Sequence, residues 1–166
     1  MTYFAAALSR TGDAWTGREL DLDAYDDLEG LADDLRELSG EEPGPTLLLI
    51  EENDEYVGVV RVDGGVGSLD EPRVFLSDRR AVLASGVSSL LWEDVEAEPV
   101  DDDDEDEGIR PVAEPVGDPA ILADLGTPAE DLLDLCAEEG LLPADVLTGV
   151  AERAGFLEVL DSLREA

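Results

Sequence analysis

The hydrophobic and polar positions change period several times along the chain, and each change predicts an element. An apolar run from Thr2 to Leu8 is followed by a loose alternation from Trp15 to Leu22, with Thr16, Arg18, Leu20 and Leu22 on one face. Thr11, Gly12 and Asp13 between them are turn chemistry, so this stretch reads as a β-hairpin. Leu28, Leu31, Ala32, Leu35 and Leu38 then recur at helical spacing, with Asp26, Asp27, Asp33, Asp34 and Glu37 away from that stripe. An amphipathic helix is predicted, capped by Asp23 and ending near Gly40.

Pro43, Gly44 and Pro45 interrupt the chain before Leu47, Leu48, Leu49 and Ile50, a continuous apolar run. Successive strand residues point to opposite faces, so such a run predicts a central strand covered on both sides. Asn53 and Asp54 make a turn, Tyr56 to Val62 return as a strand, a glycine-rich loop spans Gly64 to Gly67, and Arg73 to Leu76 give a fifth strand. Ser77 or Asp78 can cap a second helix carrying Val82, Leu83, Gly86, Val87, Leu90 and Leu91. The fold class expected is α+β: an antiparallel five-stranded sheet with flanking helices, in a longin/roadblock-like strand order. Scaffolds of that type commonly serve as binding platforms, which is an analogy of fold and not of function.

The pattern then lapses. From Asp101 to Glu107 every residue is acidic, with Pro99, Pro111 and Pro115 around the run. Like charges repel and proline blocks helix, so residues 93–116 read as an acidic linker between a sheet domain (1–92) and a C-terminal helical region (117–166). In that region Asp118 and Pro119 open a helix with Ile121, Leu122 and Leu125 that stops at Gly126. Thr127, Pro128 and Glu130 form a capping box for the next, which turns Leu132, Leu133, Leu135 and Cys136 inward until Gly140. Pro143 starts a third with Val146, Leu147 and Val150, Gly155 ends it, and Phe156, Leu157, Leu160 and Leu163 mark a fourth. A small C-terminal helical bundle is expected.

Charge changes the functional picture more than the fold. The 166 residues carry 44 acidic side chains against ten basic ones, all of them arginine, for a formal net charge of −34. With 43% apolar residues the chain is nonetheless globular in composition. So negative a surface repels phosphate backbones and anionic lipid, which disfavours direct binding to nucleic acid or a membrane and favours a basic protein partner. Two blander sources of acidity stand beside this: adaptation to high internal salt, and coding bias in a GC-rich genome. The N-terminus shows no basic, then apolar, export pattern and no apolar stretch of membrane-spanning length, and Cys136 is alone, so a cytoplasmic location is expected.

Histidine and lysine are absent. Ser-His and Cys-His nucleophile pairs, His-containing zinc sites, a P-loop built on Gly64, Gly65 and Gly67, and Schiff-base chemistry are thereby excluded. Cys136 falls on the buried helical face and is expected to be inert. Asp103, Glu105, Glu107, Gly108 and Glu114 occupy positions of an EF-hand loop, but Glu replaces shorter ligands and Pro111 and Pro115 interrupt the geometry, so a solvated charge run is the better reading. No catalytic residue, cofactor or metal ligand is assigned. The carboxylates expected to face a partner are Glu51, Glu52, Asp54, Glu55 and Asp78.

Tyr3 to Ala7 with Trp15, the block Leu47 to Val62, the strand Arg73 to Asp78, Leu122 to Thr127, and Gly140 to Leu147 together resemble the actinobacterial tRNA adenosine deaminase-associated proteins. The resemblance spans both folded parts and skips the acidic run. It implies a link to the zinc enzyme that converts wobble adenosine to inosine, with no defined biochemical role. A nucleobase deaminase needs H-x-E and P-C-x-x-C motifs to hold zinc and move protons, and this chain has neither. Three readings follow: an accessory protein that binds a protein partner such as the deaminase, a nucleic-acid mimic that occupies a basic surface, and a carboxylate-dependent metal enzyme. Oligomeric state is left open by the sequence.

Overall fold

The computed structural model describes residues 3–11, 14–25, 28–39, 45–52, 56–63, 72–77, 116–137 and 142–165. The expected second helix, the glycine-rich loop, the acidic run with its EF-hand-like spacing, and Asp54, Glu55 and Asp78 lie outside the described residues. The strands are β1 (Tyr3–Thr11), β2 (Ala14–Glu19), β3 (Thr46–Glu52), β4 (Tyr56–Val62), β5 (Arg73–Leu76) and β6 (Val116–Gly117). They form one sheet in the order β2-β1-β3-β4-β5-β6, with every neighbouring pair antiparallel. The helices are α1 (Leu28–Ser39), α2 (Ala129–Ala137), α3 (Pro143–Ala154) and α4 (Leu157–Glu165).

The apolar run in β3 behaves as its pattern predicts. Leu48 and Ile50 enter a core with Leu31, Ala32 and Leu35 of α1, whereas Leu47 and Leu49 enter a second core with Leu132, Val146, Leu147, Val150, Phe156 and Leu160 of the C-terminal helices. All four β3 side chains are fully buried. Neighbouring strands obey the same parity: Ala5, Ala7, Val60, Val62, Val74 and Leu76 face α1, and Ala6, Leu8, Val57, Val59 and Phe75 face the C-terminal helices. Each buried valine, leucine, isoleucine or phenylalanine among them contributes about 2 kcal/mol of burial before ordering costs. The result is a three-layer arrangement of helix, sheet and helices.

Three expectations are corrected, and the sheet gains an addition. The five expected strands all form, and among the described residues a sixth of two residues joins them: Val116, read as the end of the linker, pairs with Leu76, and Gly117 pairs with Phe75. A two-residue strand leaves no periodicity for a sequence to show. The C-terminal helices close no bundle core of their own; their apolar residues share one continuous core with the sheet. Each helix turns its apolar stripe onto the sheet, with Leu132 of α2, Val146, Leu147 and Val150 of α3 and Leu160 of α4 buried there. The segment after Asp118 is turns and a 3-10 helix over Ala123–Leu125 and not an α-helix, ended by Gly126 at φ +102°. Finally, α2 begins at Ala129, where the Pro128 carbonyl accepts from Leu132 N–H at 3.0 Å, and the buried Thr127 hydroxyl caps nothing.

The helix boundaries near the C-terminus hold. Pro143 opens α3, the Asp145 carboxylate accepts from the Leu142 N–H at 3.2 Å, and Gly155 at φ +94° closes it with its N–H on the Ala151 carbonyl at 2.9 Å. In β2, by contrast, the loose alternation stops at Glu19, and Leu22 is buried from a 3-10 turn over Leu22–Ala24.

Candidate interaction surface

The cationic groups show first where negative charge is consumed. Arg61 sits in the apolar strand β4 at a position whose parity points it toward the C-terminal helices, and it is only 5% exposed. Its guanidinium donates to both carboxylate oxygens of Asp124, at 2.5 and 2.8 Å, to the Ile121 carbonyl at 2.7 Å and, through Nε, to Asp63 at 3.1 Å. Arg73 stands opposite Arg61 in the β4–β5 register and donates through Nε to Asp118 at 2.7 Å. The other Asp118 oxygen accepts from the Ala120 N–H at 2.9 Å, so this carboxylate also fixes the turn that follows β6. The hydrogen bond from Arg61 holds the Asp124 carboxyl below its ordinary range against the opposing effect of burial, and the same bond raises Arg61.

Arg164 performs a similar task at the far end of α4. It donates to Thr148 Oγ1 at 2.9 Å and to the Ala144 carbonyl at 3.0 Å, lies 6.0 Å from the Phe4 ring, and is 3.9 Å from the Glu51 carboxylate. Glu51, expected to face a partner, is therefore placed on the sheet side covered by the C-terminal helices, with its side chain 20% exposed. Glu52 pairs with Tyr56 in the β3–β4 register, and its side chain is outside the described set. Of the five expected carboxylates, Glu51 alone has its side chain among the described residues.

Another acidic face is described in full. Glu29, Asp33 and Glu37 are exposed and follow one another at four-residue intervals, which aligns them along one side of α1 while Leu31, Ala32 and Leu35 are buried. Asp33 accepts from Arg36 at 3.0 Å. Burial, then the hydrogen bond and charge of Asp34, push the Tyr25 phenol up to about 12, tying the 3-10 turn to α1. Asp33 and Glu37 are among the acids that the sequence places away from the apolar stripe, and Glu29 joins them in the structure.

Two open clefts border β2. One of about 360 Å³ is lined by Ala5, Glu19, Leu20 and Asp21, and a smaller one of about 70 Å³ by Ala7, Ser9, Thr16, Gly17, Arg18 and Leu38. Among the described residues, no group of three or more His, Cys, Asp or Glu is placed to hold a metal ion, and no helix is long and apolar enough to cross a membrane. Cys136 is half-buried against the core, and burial raises its thiol to about 11.

The arginines that organise the C-terminal layer were missed by sequence reasoning. For Arg61 the available signal was parity: a charge at an inward position of an otherwise apolar strand requires a counter-charge. No curated protein and no solved structure matched the chain. One family matched, over residues 3–157, and its span includes the sheet, the acidic run and α2, α3 and the start of α4. The chain belongs to the Rv3753c-like tRNA adenosine deaminase-associated proteins.

Proposed function

We propose that this chain is a non-catalytic accessory protein that binds a protein partner in the cytoplasm, with the tRNA adenosine deaminase itself as the first candidate. Family membership is the observation that carries the reading, because the family is described by association with that enzyme. Two further facts support it. The chain has no histidine or lysine and lacks the zinc motifs of a deaminase, and its net charge of −34 suits a basic, tRNA-binding partner. The platform idea rests on the order of elements along the chain, as in longin and roadblock scaffolds. Glu52, Asp54, Glu55 and Asp78 are the carboxylates we assign to the partner-facing surface, with Glu51 at its buried margin.

The test is co-purification of the full chain with the deaminase from the native host at low and at moderate salt. Association that weakens as salt rises is expected. Its absence, or indifference to salt, would sink the reading.

Nucleic-acid mimicry gains one specific observation, the row of Glu29, Asp33 and Glu37 along α1. Competition between this chain and tRNA for the deaminase would favour it over simple docking, and Glu29→Gln with Glu37→Gln would then weaken the competition.

A further inference from the structure

We propose that β2 is the interface with a second copy of this chain, the two β2 strands pairing antiparallel about a twofold axis at Gly17 to join both sheets into one. The inference is independent of the deaminase reading.

Among the described residues, no strand pairs with the outer edge of β2. Leu20 N–H donates to the Ala5 carbonyl at 2.9 Å, and bonds alternate along an antiparallel pair, so Thr16 and Arg18 turn their backbone groups toward β1. Trp15, Gly17 and Glu19 then turn theirs away from the sheet, and β2 is the terminal strand. Ala14, Thr16, Gly17, Arg18 and Glu19 are exposed.

The surface above this edge is unusual for so acidic a chain. Helix α4 lies over β2 and β1, with Phe156 edge-on to Trp15 at 5.0 Å and Val159 and Leu163 closed down on Gly17. A Cβ on Gly17 would fall 2.7 Å from Val159, so glycine permits this approach. Helical geometry divides the remaining α4 positions. Arg164 reaches α3, Asp161 is exposed on the side away from the sheet, and the flank toward the β2 edge carries Val159 and Ser162, with the exposed Glu158 at its outer margin. Val159 and Ser162, its positions nearest the strand, are uncharged, in a protein of net charge −34. Charge depletion is the compositional mark of an interface centre, and a basic partner would find few carboxylates to engage here.

Self-pairing also matches charges. With Gly17 opposite Gly17 of the second copy, Glu19 faces Trp15 of that copy, and Thr16 faces its Arg18. The Arg10 guanidinium already stacks 5.8 Å from the Trp15 ring. Glu19 of each copy therefore arrives beside Arg10 of the other, and the twofold axis repeats the contact. The two α4 helices run side by side across the axis, with Val159 and Ser162 nearest it.

Sedimentation velocity on the full chain tests this, up to protein concentrations on the order of 100 µM. A species of twice the 17.7 kDa chain mass is expected. Glu19→Arg places like charges together twice per dimer and should raise the dissociation constant roughly tenfold. Adding Arg10→Glu to the same chain should restore it, and because both positions are exposed, far-ultraviolet circular dichroism should not change. A monomer throughout the concentration range overturns the proposal. So does a dimer indifferent to Glu19→Arg, or one that the second substitution fails to rescue.

Discussion

Arg61 grips Asp124 with two parallel hydrogen bonds, at 2.5 and 2.8 Å, across sixty-three positions of sequence. Bidentate pairing of this kind is both stronger and more directional than a single contact. It joins β4 to the segment that leads from the sheet into α2. Arg73 adds a second ion pair one strand along, with Nε and a terminal nitrogen both on one Asp118 oxygen. Two arginines directly opposite each other would repel; the two aspartates neutralise them and make the C-terminal segment a required part of the sheet.

Removing the arginine should cost more than removing its partner. Arg61→Ala leaves the Ile121 carbonyl without its donor and Asp63 and Asp124 without their shared cation, for about 3 kcal/mol of lost stability. Asp124 is largely exposed, so Asp124→Asn should cost about 1 kcal/mol. Urea unfolding of the two variants measures the difference, and equal effects would contradict it.

Acid should loosen the same junction. The Arg61 hydrogen bond lowers the folded-state Asp124 ionisation below its unfolded value, so the contribution is complete above the ordinary aspartate range, near pH ~4. It is lost as pH falls through the lower, folded value. In Asp124→Asn that part of the acid dependence should vanish, which unfolding midpoints between neutral and acid pH would show.

Glycines at positive φ separate two costs. At Gly155 a Cβ meets open space, so Gly155→Ala should cost about 1 kcal/mol from the left-handed backbone alone. At Gly117 the same substitution drives Cβ onto the Val74 carbonyl of β5, and a loss above about 2 kcal/mol is expected. Thermal unfolding should rank them in that order.

Cys136 should react slowly with iodoacetamide at neutral pH and only after unfolding at an ordinary rate, since burial raises its thiol to about 11. Linkage has the opposite sign from Asp124: a raised folded value means the contribution is complete below the unfolded thiol range and falls away as pH rises toward 11. Rapid labelling of the native protein would contradict the packing of α2.

The sequence by itself determined the elements that have a period. The continuous apolar run Leu47 to Ile50 marked the doubly covered central strand, the Leu31, Ala32 and Leu35 stripe marked α1, and Pro143 with Gly155 marked the ends of α3. Missing histidine and lysine removed most catalytic chemistry before any fold was known. What tertiary structure alone decided has no local period. A strand of two residues, the placement of the C-terminal helices on the sheet and not on each other, the inward turn of Glu51 toward Arg164, and the Arg61 and Asp124 junction all depend on partners dozens of residues away. Amphipathic faces state that a helix must be covered; only the assembled sheet, with one face already occupied by α1, specifies by what.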